Sequence, residues 1–341
     1  MNIHKKKMYK FLFMKNIFKY LRIICMIGFL VFLCLLINEM LFQPYRTQKA
    51  QNRTYELYKG FDTADYETAV LRSTKAPSSV TSVPLPDRDE KGRLLQFTTL
   101  LKENEEVKGW LTIPDTNINY VVMQPCSEKP DYYLSKNMFK EYDKAGCLFI
   151  DADSSLEEQP KNIVIHGHNM SSTKNMFHQL VNYKSLNYYN KRPVFTFDTI
   201  YETGQWKIIS VFITNGTSEN ENLFDYTKSV FRNDSEFLNF IYQLKIRSIL
   251  DINSVDINEK DRIVILSTCS YELKNYRTVV VARKVRVGED ANVNVSNITA
   301  NPSPLYPSSW YAKYGGKAPL LSQTFEKALE SNQIKWYKSL E

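Results

Sequence analysis

Two of the four histidines in this 341-residue chain, His166 and His168, bracket a glycine at the close of an apolar, strand-like run, NIVIHGH. Another such run, RIVILSTC, closes on Cys269, and eight residues later Arg277 opens RTVVVARKV. A strand end that opens into a loop is where folds commonly present reactive side chains. If the last two runs are antiparallel neighbours joined by the loop 270–276, Cys269 and Arg277 stand opposite each other at one end of a sheet. A thiol needs a base or a neighbouring positive charge to act as a nucleophile at neutral pH. An imidazole can protonate a leaving amine, and a guanidinium can stabilise the oxyanion of a tetrahedral intermediate. The three residue types together fit acyl transfer. Histidines at i and i+2 share a strand face, which would also admit a metal, but a zinc site needs three or four protein ligands and no third of suitable spacing is apparent. His4 lies in the basic N-terminus, and His178 falls in a helical stretch where a structural role is expected.

Such side chains need a rigid frame. Eight short runs supply strand-like patterning: WLTI, INYVVM, GCLFID, NIVIHG, VFTF, WKIISVFIT, RIVILST and RTVVVARKV. Broken by turn residues, they imply a closed barrel or a sandwich, mainly β with peripheral helices. Two helical insertions are predicted, one near 175–183 and one near 235–245, where Phe237, Phe240, Ile241 and Leu244 make one apolar stripe suited to core packing. Upstream, Leu94, Leu95, Leu101 and Val107 predict a short amphipathic helix ending near Gly109. After Gly288 the chain turns polar and proline-rich, then aromatic in SSWYAKYGG. A final helix over 320–340 is predicted, with Leu321, Phe325 and Leu329 on one face, as an appendage packed against the barrel.

The net charge of +7, from 44 basic and 37 acidic residues, is concentrated at one end. Lys5, Lys6, Lys7, Lys10, Lys15, Lys19 and Arg22 all precede the first acidic residue, Glu39, so the remainder carries 37 of each sign. That balance gives no support to a broad phosphate-binding face, and no nucleic-acid partner is expected. Residues 23–37 lack any polar side chain, and with Leu21 and 40–42 the apolar region approaches the ~20 residues that cross a bilayer. A basic flank stays cytoplasmic by the positive-inside rule, so the rest of the chain is expected outside. No small-x-small cleavage site follows, which favours an uncleaved anchor over a signal peptide. The expected segments are a basic cytoplasmic stretch 1–22, a transmembrane signal-anchor 23–42, a stalk and linker 43–90 that is proline- and serine-rich over 76–87, a catalytic domain 91–288 and an extension 289–341. Cys25 and Cys34 fall in the anchor. Cys126, Cys147 and Cys269 leave an odd number outside, which excludes a dense disulfide framework. Cys126 and Cys147 read either as small buried residues or as a mutual bridge.

The stretch 94–287 resembles the sortases, specifically the class B type. GWLTIPDTNINYVVMQ, DYYLSKNMFKEYDKAGCLFID, IVIHGHNM and ILSTCSYELKNYRTVVVARKV resemble family segments and occur in family order. The resemblance implies a closed eight-stranded barrel with an N-terminal helix and a helix inserted between late strands, the 235–245 segment. It matches Cys269 to the nucleophile, Arg277 to the catalytic arginine and His168, which follows the glycine, to the family histidine. His166 then falls where a tyrosine or non-ionisable residue is expected. Ser267, on the strand face of Cys269, is expected to help hold substrate or oxyanion. The implied reaction is transpeptidation of secreted proteins bearing a C-terminal sorting motif. It runs through a thioester to an amine of a peptidoglycan precursor or a pilin lysine. No metal or organic cofactor is implied; other sortase classes use calcium, but Glu219, Glu221 and Asp225 are too loosely grouped to form such a site. Two rivals use the same residues. A hydrolytic cysteine peptidase differs only in the fate of the acyl-enzyme, although a papain-like chain would place its cysteine before its histidine. A non-catalytic surface-binding protein on the same barrel is disfavoured by the intact His168, Cys269 and Arg277.

Overall fold

The eight apolar runs form eight strands that close on one another: β1 (Val107–Thr112), β2 (Asn119–Met123), β3 (Leu148–Ile150), β4 (Asn162–Gly167), β5 (Val194–Thr199), β6 (Gln205–Asn215), β7 (Ile263–Cys269) and β8 (Tyr276–Lys284). The order around the barrel is β1-β2-β3-β4-β7-β8-β6-β5, so the expected closed barrel is the one observed. This computed structural model describes residues 3–60, 88–152, 154–216 and 224–340. The linker predicted over 76–87, and Glu219 and Glu221, lie outside the described residues.

Closure leaves no barrel edge unpaired. The interior is filled by Ile165, Phe195, Phe197, Trp206, Val211, Leu266 and Val280, each almost fully buried. Burying an aliphatic or aromatic side chain of this size stabilises by about 1.5–3 kcal/mol, and here that gain closes the sheet. Most neighbouring strands are antiparallel, but β2–β3 and β4–β7 are parallel. The β4–β7 pair sets up the site. Two strands running the same way finish at the same end of the barrel, so NIVIHG and IVILSTC deliver their C-terminal residues side by side. The chain between them must cross over, and the excursion contains β5, β6 and the inserted helix.

The helices are α1 (Ile3–Ile37), α2 (Gln43–Lys59), α3 (Thr98–Glu103), α4 (Leu186–Lys191), α5 (Asp234–Ile246), α6 (Ser308–Tyr314) and α7 (Phe325–Glu330), with one π-helical turn at Asn38–Phe42. Among the described residues one stretch, Asn16–Lys59, is long and apolar enough to cross a membrane. α5 realises the predicted inserted helix. Asn233 caps it by accepting from Glu236 N at 2.9 Å, Asp234 and Glu236 sit in its first turn, and Phe237, Phe240, Ile241 and Leu244 are buried. α3 packs Leu100 and Leu101 with Phe97, Trp110, Val121 and Phe149 on the outside of the barrel. The last turns of α2, from Ala50 onward, join this cluster where Tyr58 stacks on Trp110 at 4.1 Å.

Three predicted helices are shorter or different in kind. α3 ends at Glu103, not near Gly109, because Asn104 adopts an extended backbone and turns the chain into β1. The Asn104 side chain is buried and donates to Met138 O at 2.7 Å and Tyr133 OH at 3.0 Å. The 175–183 stretch begins as a two-residue strand, Asn175–Met176, and continues as a 3-10 helix, Phe177–Lys184. The helix predicted over 320–340 is reduced to the six residues of α7, which Thr324 caps, and Asn332 just beyond takes a positive φ of 53°. Phe325 is buried, but Leu321 and Leu329 stay largely exposed, so the apolar stripe is not a helical face.

The extension after β8 is rooted in a charged cluster. The fully buried Arg283 makes a two-pronged contact with Glu289, at 2.7 and 2.6 Å, and Lys207 reaches the same carboxylate at 2.6 Å. Removing Glu289 would leave the buried Arg283 without the carboxylate it grips. All five cysteines are free thiols, so Cys126 and Cys147 are not bridged. Cys147 is buried, and burial first, then the charge of Asp143, pushes its thiol well above the ordinary range.

Candidate active site

β7 and β8 form an antiparallel hairpin in which Cys269 is the direct partner of Arg277. β4 lies on the other side of β7, in parallel register, with Gly167 beside Thr268, so His168 leaves β4 next to the position where Cys269 ends β7. His168, Cys269 and Arg277 therefore come from three adjacent strands at one barrel end. Cys269 is partly exposed.

His168 Nε2 lies 2.8 Å from Leu134 O. A carbonyl oxygen only accepts, so Nε2 carries the hydrogen and Nδ1 is the bare nitrogen of the neutral ring. This partner, a backbone atom in the β2–β3 connection, has no signature in the sequence pattern. Gly167 sits between the two histidines with its missing side chain facing the interior. A Cβ there would come within 2.4 Å of Leu148 and 2.7 Å of Phe177. Only glycine lets β4 lie this close to its neighbours and release His168 at this point.

The Arg277 guanidinium is held by its Nη1, which donates to Asn275 O at 3.3 Å and Tyr276 O at 3.2 Å. Gly216, just past the end of β6, makes room for it: a Cβ would stand 3.1 Å from the Arg277 Cζ and 2.9 Å from Asn275 O. With five N–H donors on a planar fork, such a group can still direct hydrogen bonds toward an oxyanion.

A second layer ties the histidine segment to the cysteine. Asn169 donates from Nδ2 to Cys269 O at 2.9 Å, which fixes its Oδ1 toward His178 Nδ1 at 2.8 Å, where the ring must be the donor. Burial first, then the charge of Lys174, lowers the pKa of His178 and favours its neutral form. His178 thus has the structural role expected of it, one side chain removed from the cysteine. Asn169 was not singled out from sequence, although it adjoins His168 in IVIHGHNM. Tyr271 OH also donates to Asn169 O, at 3.0 Å.

His166 meets Asp151 at 2.8 Å, from Nε2 to Oδ1, and its ring lies 5.5 Å from that of Phe149. Ser267, two residues before Cys269 on the same strand face, is buried and shares a 2.9 Å hydrogen bond with Tyr226 OH. Tyr226 comes from the β6–α5 connection, and burial raises its hydroxyl pKa, although the hydrogen bond with Ser267 and the charge of Arg277 oppose the rise. Asp225 Oδ1 accepts from Thr227 N and Oγ1 within its own turn.

In the β7–β8 loop, the Glu272 carboxylate is held by Lys184 and by Ser270 Oγ. Burial alone would raise its pKa, but these contacts outweigh burial and keep it low.

A family model described as the Sortase domain matches residues 111–285. The chain is 30% identical over 194 residues to Sortase B of Staphylococcus aureus, covering 56% of this chain and 75% of that one. It is 34% identical over 181 residues to Sortase B of Listeria monocytogenes, covering 53% and 69%. A crystal structure of a Bacillus anthracis protein similar to sortase B superposes with a TM-score of 0.56 at 25% identity, covering 71% of this chain and 96% of that one.

Proposed function

Since this chain belongs to the sortase family, in its class B, and is therefore a cysteine transpeptidase, we propose that Cys269 is its nucleophile, His168 its general acid and base, and Arg277 its oxyanion partner. The observation that carries this reading is the convergence of three strand ends: Cys269 opposite Arg277 across β7–β8, and His168 leaving the parallel strand β4.

The Cys269 thiolate attacks the carbonyl of a threonine in the C-terminal sorting motif of a secreted protein. Charge develops on the carbonyl oxygen, and the Arg277 guanidinium stabilises it at the end of the same sheet. His168, its Nε2–H held by Leu134 O, moves the proton at Nδ1: imidazolium gives it to the departing amine, and the peptide C–N bond breaks to leave a thioester. An acceptor amine, on a peptidoglycan precursor or a pilin lysine, then attacks the thioester while neutral His168 takes its proton. The new amide forms, the C–S bond of the thioester breaks, and the thiolate returns beside the imidazolium. Ser267 supports the floor of the substrate groove through Tyr226, and His166 with Asp151 adds a polar edge beside it. The seven basic residues before Glu39 favour a cytoplasmic N-terminus, with 23–42 spanning the membrane as an anchor, 43–90 as stalk, the catalytic domain 91–288 outside and 289–341 as its extension.

The test uses the full chain in detergent, wild type and Cys269→Ala, with a panel of quenched sorting-motif peptides, followed by mass spectrometry with and without an added glycine-based amine. A thioester on Cys269 and an amine-joined product are expected, and Cys269→Ala loses both. Acid as the sole product with every amine would replace the transpeptidase reading of this site by a hydrolytic one.

A further inference from the structure

The extension after β8 lies beyond the family match, which ends at residue 285. Its helix α6 lies against the loop that joins the two proposed catalytic strands. Lys313 Nζ and Tyr314 OH both donate to the backbone carbonyl of Glu272, at 2.8 and 2.9 Å. Ser309 Oγ and Tyr276 OH share a hydrogen bond at the base of the same loop. Trp310 is the centre of the contact. Its ring stacks on Tyr306 at 4.3 Å, faces Tyr276 at 6.4 Å and lies 4.5 Å from Tyr314. Tyr276 is fully buried and immediately precedes Arg277.

We propose that helix α6 of the extension is a brace that positions the β7–β8 loop as one wall of the substrate groove, with Lys313 and Tyr314 as positioning residues for the transpeptidation.

The loop is held on three sides. Lys184 grips the Glu272 carboxylate from the 3-10 helix, Tyr271 OH reaches Asn169 O beside His168, and α6 holds the Glu272 carbonyl. The Tyr271 ring is 70% exposed although its hydroxyl is tied to the histidine segment, so an apolar surface faces outward beside the site. Release of the Glu272 carbonyl frees the middle of the loop, where Tyr271 and Glu272 sit. It leaves Cys269 and Arg277 in their ladder, because strand pairing holds both. A defect confined to the loop therefore falls on substrate capture more than on the chemical step.

This inference rests on the reading of Cys269 as nucleophile, and the experiment separates the two. The full chain in detergent is assayed with whichever peptide of the sorting-motif panel the wild type cleaves best, and kcat and KM are measured apart. The double variant Lys313→Met/Tyr314→Phe is expected to raise KM about tenfold with kcat within about threefold of wild type, as befits two lost hydrogen bonds at a partly exposed site. Lys313→Arg, which keeps a donor, is expected to restore KM to near the wild-type value. Glu326→Gln weakens a contact between Ser235 and α7, away from the loop, and is expected to leave both constants unchanged. If the double variant unfolds, Tyr314→Phe alone is read the same way, with an expected rise in KM of about threefold. An unchanged KM in a folded double variant, or an equal rise for Glu326→Gln, overturns the brace. Cleavage that survives in Cys269→Ala would instead overturn the nucleophile assignment, whatever the α6 variants do.

Discussion

At the scale of single residues, the proposed site depends as much on what is missing as on what is present. Gly216 has no positive φ to explain it; its value is the space it leaves beside the guanidinium. A Cβ there would stand 2.9 Å from the backbone oxygen of Asn275 and 3.1 Å from the Arg277 Cζ, so the backbone at the start of β8 must shift and the guanidinium with it. Gly216→Ala is therefore expected to lower kcat by about 10- to 100-fold, the cost of misplacing an oxyanion partner by a fraction of an ångström to an ångström. Because the nearer clash is with backbone, its thermal unfolding temperature is expected to fall as well. Single-turnover cleavage of a sorting-motif peptide checks this, and a wild-type rate would mean that Arg277 has room to spare or no part in the step. The Cys269–Arg277 pair was legible in the sequence because a hairpin turns spacing into register. The contacts of His166 with Asp151, Ser267 with Tyr226 and Asn169 with Cys269 were not. They join segments whose adjacency is decided by the barrel, and local patterning carries no trace of that.

At the scale of elements, all eight strands could be read because each run is apolar, rich in β-branched residues and bounded by turn residues. Their order around the barrel could not. The β4–β7 contact that brings His168 to Cys269 joins positions about a hundred residues apart, and here the family resemblance supplied what periodicity could not. Helix ends were the weak point of the reading. Side chains such as Asn104, satisfied by Met138 O and Tyr133 OH, stop a helix through partners distant in sequence. The β4–β7 arrangement also makes a demand on Gly167, whose two flanking strands and 3-10 helix leave it no volume. Gly167→Ala would force Leu148 and Phe177 outward, and overpacking of this kind costs about 1–3 kcal/mol. Because β4 must shift to relieve the clash, His168 moves with it. The expected result is a joint loss of stability in denaturant melts and of peptide cleavage. A variant that melts like wild type and cleaves like wild type would show that β4 has slack that the close contacts deny.

At the scale of the whole molecule, the catalytic barrel and its extension share one buried amine. Lys245, on α5, is enclosed where Trp336 of the extension lies 5.9 Å from its ammonium, and it donates to Ile209 O at 3.1 Å and to Ile252 O. Burial pushes its pKa down to about 7, and the nearby Asp251 offsets only part of that. An unfolded lysine titrates at about 10.4. Between about pH 7 and pH 10 the unfolded chain therefore holds a proton that the folded chain has released. Stability must rise with pH across that window, and the contribution flattens below about 7, where both states are charged. Other side chains titrate in the same range, so the informative quantity is the difference between wild type and Lys245→Met. The variant removes a costly buried charge at pH 7, but at pH 10 it removes only a neutral amine that was satisfying two carbonyls. Relative to wild type, Lys245→Met should be favoured at pH 7 and disfavoured at pH 10. Denaturant melts of both proteins at intervals across that range would test it. Two parallel stability curves would mean that Lys245 keeps its proton when folded, so that the extension covers an ammonium rather than an amine.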